Sequence, residues 1–291
     1  MDTIKTMIQG FTDLASKHQN FYIFDADNQS YSYTQYFQQQ FRKRYFNIGN
    51  LDRALIPFLA GIATTHTKII LIDYNSRLLN QHFTAIKELA CELPLDINLI
   101  SLEAHQQAIY NQFLLPTPHL SLATQIPNLD IYTPANTHEA LLTAKAIVEN
   151  SIATYTNITL HPFLHTTFTD QSKNLDHQLI TTGDDIGIIT YGVLSNYALS
   201  LVDRLHQENK NAQLLHLPRL TNFNKKLITQ TVNTCKQTFF LEINDELTPS
   251  IASTVTANNT IHTIKIDPTF FRPQQNRPAI IDYLYNQITS Y

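Results

Sequence analysis

Short, nearly continuous apolar runs alternate along the chain with longer stretches in which apolar residues recur every three or four positions. The runs predict buried strands, and the longer stretches predict amphipathic helices that cover them. In the N-terminal part the predicted strands are Phe21–Phe24, Lys68–Ile72, Ile97–Ile100, Asp130–Tyr132 and Asn157–Leu160. The helical patterns between them are Arg53–Ala63, Ser76–Ala90 and Thr137–Glu149. Such alternation is typical of βαβ units and of a largely parallel sheet with helices on both faces.

The pattern stops between about residues 161 and 183, where polarity is mixed and no period is visible. A second series then follows, with strands predicted at Ile186–Thr190, Ala212–Leu217, Thr238–Glu242 and Thr263–Ile266. Its helices are predicted at Leu194–His206, Asn224–Thr234 and Pro278–Ile288. We therefore expect an α/β protein of two domains, each with a mostly parallel sheet flanked by helices. The expected boundaries are 1–162 and 184–291, joined by a linker at 163–183.

Composition narrows the classes of partner. Hydrophobic residues make up 43% of the 291, charged residues only 15%, and the net charge is -4. This balance argues against nucleic-acid binding, which needs clustered Lys and Arg. The one basic cluster, Arg42-Lys43-Arg44, is too short for such a surface and indicates a helix-end cap.

No apolar run approaches the roughly 20 residues needed to span a bilayer, and the chain opens on an amphipathic pattern. We expect no membrane contact and a cytoplasmic location.

The two cysteines, Cys91 and Cys235, are far apart and lie in different halves of the chain. Their spacing fits neither a CxxC redox motif nor a zinc site. We expect both to be reduced, partly buried hydrophobic residues.

An ordered set of motifs resembles a known family. The first domain contains Asn47-Ile48-Gly49, Leu59–Ala63, Tyr74–Gln81 and Ile126–Asn136, the last followed by Glu139-Ala140. The second contains Gly183–Gly192, Leu217–Leu220, Phe240–Glu242 and Asp267–Gln274. In order and near-correct spacing these segments resemble the C-terminal half of transketolases, as found in split, two-subunit transketolases. The resemblance implies a thiamine diphosphate-binding fold with a pyrimidine-binding domain, followed by a transketolase C-terminal-like domain.

The diphosphate-binding motif of the family, Gly-Asp-Gly, does not occur in the sequence. Gly183-Asp184-Asp185 lacks the second glycine that lets backbone approach a phosphate. The resemblance therefore implies a partner subunit that is similar to the N-terminal part of transketolase. This partner would bind the diphosphate and supply most of the ligands of Mg²⁺. It also implies self-association through both domains of this chain and, with the partner, a heterotetramer.

The resemblance assigns roles to two residues of the cofactor site. Asp52 lies three residues after Gly49, at the position of the family's glutamate, whose carboxyl group bonds N1′ of the aminopyrimidine. Asp52 is one methylene shorter, and the alternative is an acidic residue favoured by the dipole at a helix start. Tyr74 matches the aromatic residue that stacks on the pyrimidine ring. The alternative for Tyr74 is an aromatic residue that fills the core at a strand end.

Three further residues are candidates for substrate contact. Arg77 matches an arginine that binds substrate phosphate in some members, with a solvated helix-face charge as the alternative. His119 is the nearest candidate for the family's catalytic histidine, with an exposed loop residue as the alternative. His161 stands where the family has an arginine. The loop that carries the family's histidine is short here, and the chain has only six glycines.

Three functions remain open at this point. The first is two-carbon ketol transfer with thiamine diphosphate and Mg²⁺, acting on a sugar phosphate or 2-oxo acid. The second is a non-catalytic scaffold or regulatory homologue that keeps the fold and the dimer surface. The third is a subunit similar to deoxyxylulose-phosphate synthases or to the beta subunits of 2-oxo acid dehydrogenases, which share this two-domain layout.

Overall fold

The computed structural model describes residues 3–27, 32–49, 51–63, 67–74, 77–93, 95–103, 119–159, 174–222, 224–243, 247–253, 255, 259–266 and 277–291. For residues 52, 74, 77, 103 and 277 only the backbone is described. All structural statements below refer to these parts of the chain.

The first sheet is parallel throughout and has the strand order β2-β1-β3-β4-β6-β5. Its strands are β1 (Phe21–Asp25), β2 (Tyr45–Asn47), β3 (Lys68–Tyr74), β4 (Ile97–Glu103), β5 (Asp130–Tyr132) and β6 (Thr154–Thr159). The sequence predicts all of them except β2. That strand is three residues long and exposes Phe46 and Asn47, so it carries no apolar run.

Helices cover both faces of this sheet, as predicted. They are α1 (Thr3–Leu14), α2 (Gln35–Gln40), α3 (Leu55–Ile62), α4 (Arg77–Cys91), α5 (His119–Ala123) and α6 (Thr137–Glu149). Short 3-10 turns occupy Arg42–Arg44 and Asp52–Ala54. Helices α1, α2 and α6 form one core with the strand residues Ile23, Ile70, Ile72 and Ile100. Helices α3, α4 and α5 pack on the opposite face, against Ile69, Leu71, Leu99 and Ile131.

The second sheet is mixed and has the order β11-β10-β8-β9-β7. Its strands are β7 (Gln178–Thr181), β8 (Ile186–Tyr191), β9 (Ala212–Leu217), β10 (Gln237–Glu242) and β11 (Ile261–Lys265). Its helices are α7 (Leu194–Gln207), α8 (Lys225–Thr234), α9 (Thr248–Ala252) and α10 (Arg277–Thr289). None of the helices described here is long and apolar enough to cross a membrane.

Strand β7 lies inside the segment 163–183 that the sequence predicts as a linker. It pairs antiparallel with β9, so the second sheet begins before residue 184. Only one of its four residues is fully exposed and none is fully buried, a pattern without the alternation that marks a strand. Residues 160–173, which include His161 and the first part of the predicted linker, lie outside the described residues.

The two domains share a continuous hydrophobic core. Leu215 and Phe240 of the second sheet belong to the same buried cluster as Leu99 and Ile131 of the first. The backbone also crosses between the domains: Leu220 N–H donates to Ile131 O at 2.9 Å, and Thr133 N–H donates to the Pro218 carbonyl at 2.8 Å. Edge strand β5 of the first domain is therefore hydrogen-bonded through its backbone to the segment that follows β9 of the second. The two domains pack as one body.

Arg44 confirms the predicted helix-end cap. Its Nη1 donates to the His18 carbonyl at 2.9 Å and its Nη2 to the Ala15 carbonyl at 2.7 Å, just beyond the end of α1. The guanidinium also lies 4.4 Å from the centroid of the Phe41 ring. A planar cation can make these contacts simultaneously, which a lysine ammonium cannot.

We expect Arg44→Lys to lower the free energy of unfolding by about 1–2 kcal/mol, because one of two charge-assisted hydrogen bonds and the ring contact are lost. Urea unfolding followed by circular dichroism measures the change. The matched control is Arg42→Lys, since Arg42 is exposed and has the same surroundings in sequence. Equal effects of the two substitutions would contradict a capping role for Arg44.

Candidate cofactor site

The carboxyl edge of the first sheet brings three predicted site residues together. Strand β1 lies between β2 and β3, so the chain changes direction across the sheet at β1. Ligands of open α/β sheets bind at such switch points. Asp52 opens the 3-10 turn that follows β2, Tyr74 is the last residue of β3, and Arg77 is the first residue of α4. Their side chains lie outside the described parts, so the structure fixes their place by the backbone.

A rigid turn carries Asp52 to this edge. Ile48 N–H donates to the Asp25 carbonyl at 3.0 Å, which attaches the turn to the end of β1. Gly49 N–H donates to Asn47 Oδ1, also at 3.0 Å. Gly49 has φ of 63°, and an added Cβ would have no heavy atom within 4 Å. Glycine is therefore required here by backbone conformation and not by crowding.

Two buried carboxylates flank the switch point. Asp25 ends β1 and accepts hydrogen bonds from Ser32 Oγ and Thr34 Oγ1, both at 2.7 Å. Asp73 is buried directly before Tyr74 and pairs in register with Ser101 of β4. Asp73 was not among the predicted site residues. An acidic residue within the apolar run Lys68–Tyr74 is the signal that could have identified it, because buried acids need a partner.

The expected pyrimidine site rests on backbone position and residue type. Strands β2 and β3 are separated only by β1, so their ends are about 10 Å apart. The residue types at positions 52 and 74, an acid and an aromatic, are the pair that a protonated, planar aminopyrimidine needs.

The described residues contain no group of three or more His, Cys, Asp or Glu side chains arranged to hold a metal ion. Gly183-Asp184-Asp185 directly precedes β8. A Cβ on Gly183 would lie 2.7 Å from the Asn211 backbone, and Asp185 accepts from Asn211 N–H at 2.9 Å. Asp185 also pairs with Lys236 at 2.6 Å, and this bond lowers the pKa of the Asp185 carboxyl. The segment has a structural role.

His119 lies away from Asp52 and Tyr74. It begins α5, is 2% exposed, and meets the ring of Tyr155 edge-on at 6.1 Å, near the amino end of β6. The alternative of an exposed loop residue is therefore wrong. Asp52 and Tyr74 follow the carboxyl ends of their strands, so the structure does not bring His119 together with them.

The motif around Glu139 connects the two domains. Asn136 Oδ1 caps α6 by accepting from Glu139 N–H at 2.8 Å, and Glu139 Oε2 accepts from Ala135 N–H at 2.7 Å. The other oxygen, Oε1, lies 2.9 Å from His216 Nε2 of β9. Ser195 Oγ of α7 lies 2.6 Å from His216 Nδ1. Glu139, His216 and Ser195 form a relay that is fully buried.

Glu242, at the end of β10, is a second buried carboxylate of the motif set. Its Oε2 accepts from Leu247 N–H at 2.7 Å and Thr248 N–H at 3.3 Å, at the start of α9. Among the residues that the structure describes, none forms a hydrogen bond with its Oε1. Burial raises the pKa of the Glu242 carboxyl, and the two backbone hydrogen bonds oppose that shift only in part.

We expect Gly49→Ala to lower the free energy of unfolding by about 1 kcal/mol, because an L-residue with Cβ is strained at positive φ. Gly61→Ala is the matched control. Gly61 lies in α3 with no atom within 4 Å of an added Cβ and no positive φ, so alanine should raise stability by about 0.5 kcal/mol. Denaturant unfolding of both variants measures the two changes in the free energy of unfolding. Changes of the same sign would show that the backbone conformation at position 49 does not require glycine.

The raised pKa of Glu242 predicts a pH dependence of stability. The folded state binds this proton more tightly than the unfolded state, so the contribution is complete at low pH and is lost as pH rises through the folded pKa. Compared with Glu242→Gln, the wild type should therefore become relatively less stable as pH increases. The pKa of Asp185 is lowered, so the sign is reversed. Compared with Asp185→Asn, the wild type should become relatively more stable as pH increases. Thermal unfolding across the acidic range measures both, and parallel slopes would refute the assignment.

Comparisons with known proteins agree with this architecture. No family model matches the chain. A Methanocaldococcus jannaschii protein, described as a proposed transketolase C-terminal section, is 18% identical over 226 residues, which cover 75% of this chain and 71% of that protein. A split-gene transketolase, solved as an inactive β4 tetramer, superposes with a TM-score of 0.79 at 16% identity, over 97% of this chain and 93% of that chain.

The transketolase of Campylobacter jejuni superposes with a TM-score of 0.71 at 12% identity. The match covers 99% of this chain but only 46% of that one, so this chain spans about half of the length of a single-chain transketolase. The order of motifs and the superposition over both domains lead to one conclusion. The chain has the fold of the C-terminal half of transketolase.

Proposed function

We propose that the chain is the pyrimidine-binding subunit of a thiamine diphosphate-dependent, transketolase-like enzyme that transfers a two-carbon ketol unit. The observation that carries the proposal is the placement of Asp52 and Tyr74 on either side of β1, at the switch point of the first sheet. This placement occurs within a fold shared with a split-gene transketolase. A sugar phosphate or 2-oxo acid is the proposed class of substrate.

The roles of this chain's residues follow from their positions. The bound cofactor supplies the carbanion chemistry. Asp52 holds a hydrogen bond to N1′ of the aminopyrimidine and so controls the protonation of that ring. Tyr74 orients the ring by stacking, a contact worth about 0.5–1.5 kcal/mol beyond burial. Arg77, at the start of α4, offers a guanidinium to an anionic group of the substrate.

A partner subunit completes this proposed site. It would bind the diphosphate and Mg²⁺, for which this chain lacks a motif. The outer face of α3 supports such a contact. Helix α3 is apolar on all sides: Leu55, Ile56 and Leu59 face the core, whereas Phe58 and Ile62 are exposed. A helix that is hydrophobic all round is normally covered.

Self-association is also part of the proposal. The neighbouring split-gene transketolase forms an inactive β4 tetramer. We propose that this chain, expressed alone, likewise associates with itself and is inactive until the diphosphate-binding subunit joins it in a heterotetramer.

One observation favours a second function, a non-catalytic scaffold. The carboxylate at position 52 is one methylene shorter than the family's glutamate, and a gap of about 1 Å is enough to weaken a hydrogen bond. If the chain is such a scaffold, we expect it to fold and associate without the cofactor.

Asp52→Asn should abolish two-carbon transfer by the complex reconstituted with the diphosphate-binding subunit, while Asp52→Glu should retain or increase it. An amide cannot supply the acidic proton to N1′, whereas glutamate restores the longer reach. Rates lost by a single essential proton transfer are of the order of 10²–10⁴-fold. Turnover assays and calorimetric titration with thiamine diphosphate provide the two measurements.

Leu141→Ala serves as the control, because Leu141 is exposed on α6, outside the site. Heat of cofactor binding to the wild-type complex, together with loss of turnover in Asp52→Asn alone, supports the enzyme. A folded complex that gives no heat of binding in any variant rejects the enzyme and leaves the scaffold.

A further inference from the structure

A cleft of about 850 Å³ opens between the two domains at the amino edge of the first sheet. Its walls come from the end of α4, the segments that precede β5 and β6, the segment that follows β9, and α9. Small-molecule sites typically measure roughly 300–1,000 Å³ and often lie between domains. Asp52 and Tyr74 lie at the other, carboxyl edge of that sheet, so the proposed cofactor site does not explain this cleft.

Arg219 supplies a cation to the cleft. Its Nη2 donates to both carboxylate oxygens of Asp130 at 2.7 Å, and its Nε donates to Thr221 Oγ1 at 3.3 Å. In the described part of the chain, Nη1 makes no hydrogen bond to a protein group. The Arg219 side chain is 31% exposed and lines the cleft. One edge of the guanidinium is thus committed to the protein, while the Nη1 amino group remains available to a ligand.

Both carboxylate oxygens of Asp130, in contrast, already accept hydrogen bonds from the protein. Besides the Arg219 bonds, Oδ1 accepts from Thr221 Oγ1 at 2.9 Å and Oδ2 accepts from Tyr132 OH at 3.2 Å. Burial and the neighbouring carboxylate raise the pKa of Tyr132 to about 12, so the phenol keeps its proton. The Arg219–Asp130 pair therefore presents a free donor, Nη1, and carboxylate acceptors that are already occupied. A ligand that binds this pair must bring an acceptor oxygen.

The charge balance limits how much negative charge the ligand can carry. Asp130 neutralises Arg219 within the floor, and no other Lys, Arg, Asp or Glu lines the described walls. A monocarboxylate that accepts from Nη1 adds one negative charge beside Asp130, whereas a phosphate dianion would add two with the same single cation to offset them.

The walls favour an apolar body behind that acceptor group. Leu89, Ile126, Ile152 and Leu220 contribute apolar surface to the cleft. We propose that the cleft binds a small organic monocarboxylate with an apolar body, the carboxylate on Arg219 and the body between the walls of the two domains. This proposal does not depend on the cofactor site.

The chain contains its own reporter of occupancy. Cys91 lines the cleft, is exposed, and its Sγ donates to the Pro127 carbonyl at 3.4 Å. Cys235 is buried outside the cleft, and burial raises the pKa of its thiol to about 11. Alkylation by neutral iodoacetamide, followed by peptide mass spectrometry, therefore reads cleft access at Cys91 and folding at Cys235.

Sodium benzoate is the probe, with sodium phosphate and sodium chloride at the same ionic strength as parallel arms. Only the empty cleft reacts, so Cys91 alkylation should slow about tenfold at a benzoate concentration about ten times the dissociation constant. Phosphate and chloride should leave the rate unchanged. Equal slowing by phosphate would replace the monocarboxylate class with a general anion site, and no slowing by benzoate would overturn the proposal.

Arg219→Lys should remove the protection, because a lysine ammonium paired with Asp130 lacks the separate Nη1 group that faces the ligand, although the charge stays. Arg204→Lys is the matched control, since Arg204 also pairs with a carboxylate, that of Asp282, but on the surface of α7. If Arg219→Lys exposes Cys235 and so reports unfolding, Ser151→Trp, which fills the cleft from an exposed position, takes its place. Protection that persists in a folded Arg219→Lys or in Ser151→Trp would refute the site.

Discussion

The buried side chain of Glu139 constrains the whole molecule. A polar group without access to water is tolerated only when hydrogen bonds replace its hydration, and a buried polar group left without its partner costs about 1–3 kcal/mol. The partners of Glu139 come from both domains: Ala135 N–H from its own, and the His216 ring from the other. Ser195 fixes the far side of that ring. The domains can separate only by leaving these buried groups without their partners, so the relay sets their relative orientation.

The hydrophobic core that the two domains share also fixes their relative orientation. Apolar residues of both sheets belong to one cluster, and the backbone of edge strand β5 is bonded to the segment after β9. A two-domain chain held in this way presents its surfaces in a fixed arrangement. The exposed apolar side of α3 is therefore held in a fixed position relative to both domains.

The two ends of the first sheet have different chemistry for a physical reason. At the carboxyl end, Asp52, Tyr74 and Arg77 follow strands β2 and β3, which lie on either side of β1. At the amino end, the second domain packs close to the strand starts and leaves a cleft with one compensated ion pair, Arg219–Asp130. The proposed cofactor site lies at the first end, and the proposed ligand cleft lies at the second.

The sequence by itself determined the α/β class, the two-domain layout and most elements, because buried parallel strands and their helices carry strong periodic patterns. Asp130–Tyr132, Thr137–Glu149 and Ala212–Leu217 agree with the structure to the residue. Short or half-exposed strands such as β2 and β7 carry no such pattern, so only pairing with a neighbouring strand reveals them. For the site, motif order predicts Asp52, Tyr74 and Arg77, and their backbone positions follow β2 and β3 at the carboxyl edge of the first sheet.

Tertiary structure alone decided the contacts that join distant segments. Glu139 and His216 are 77 residues apart, and Arg219 and Asp130 are 89 apart. No local pattern encodes such pairs, because each side chain is an ordinary polar residue until packing removes water from around it. His119 shows the same limit in reverse: its chemistry suggested catalysis or an exposed loop, and burial against Tyr155 gave it another place.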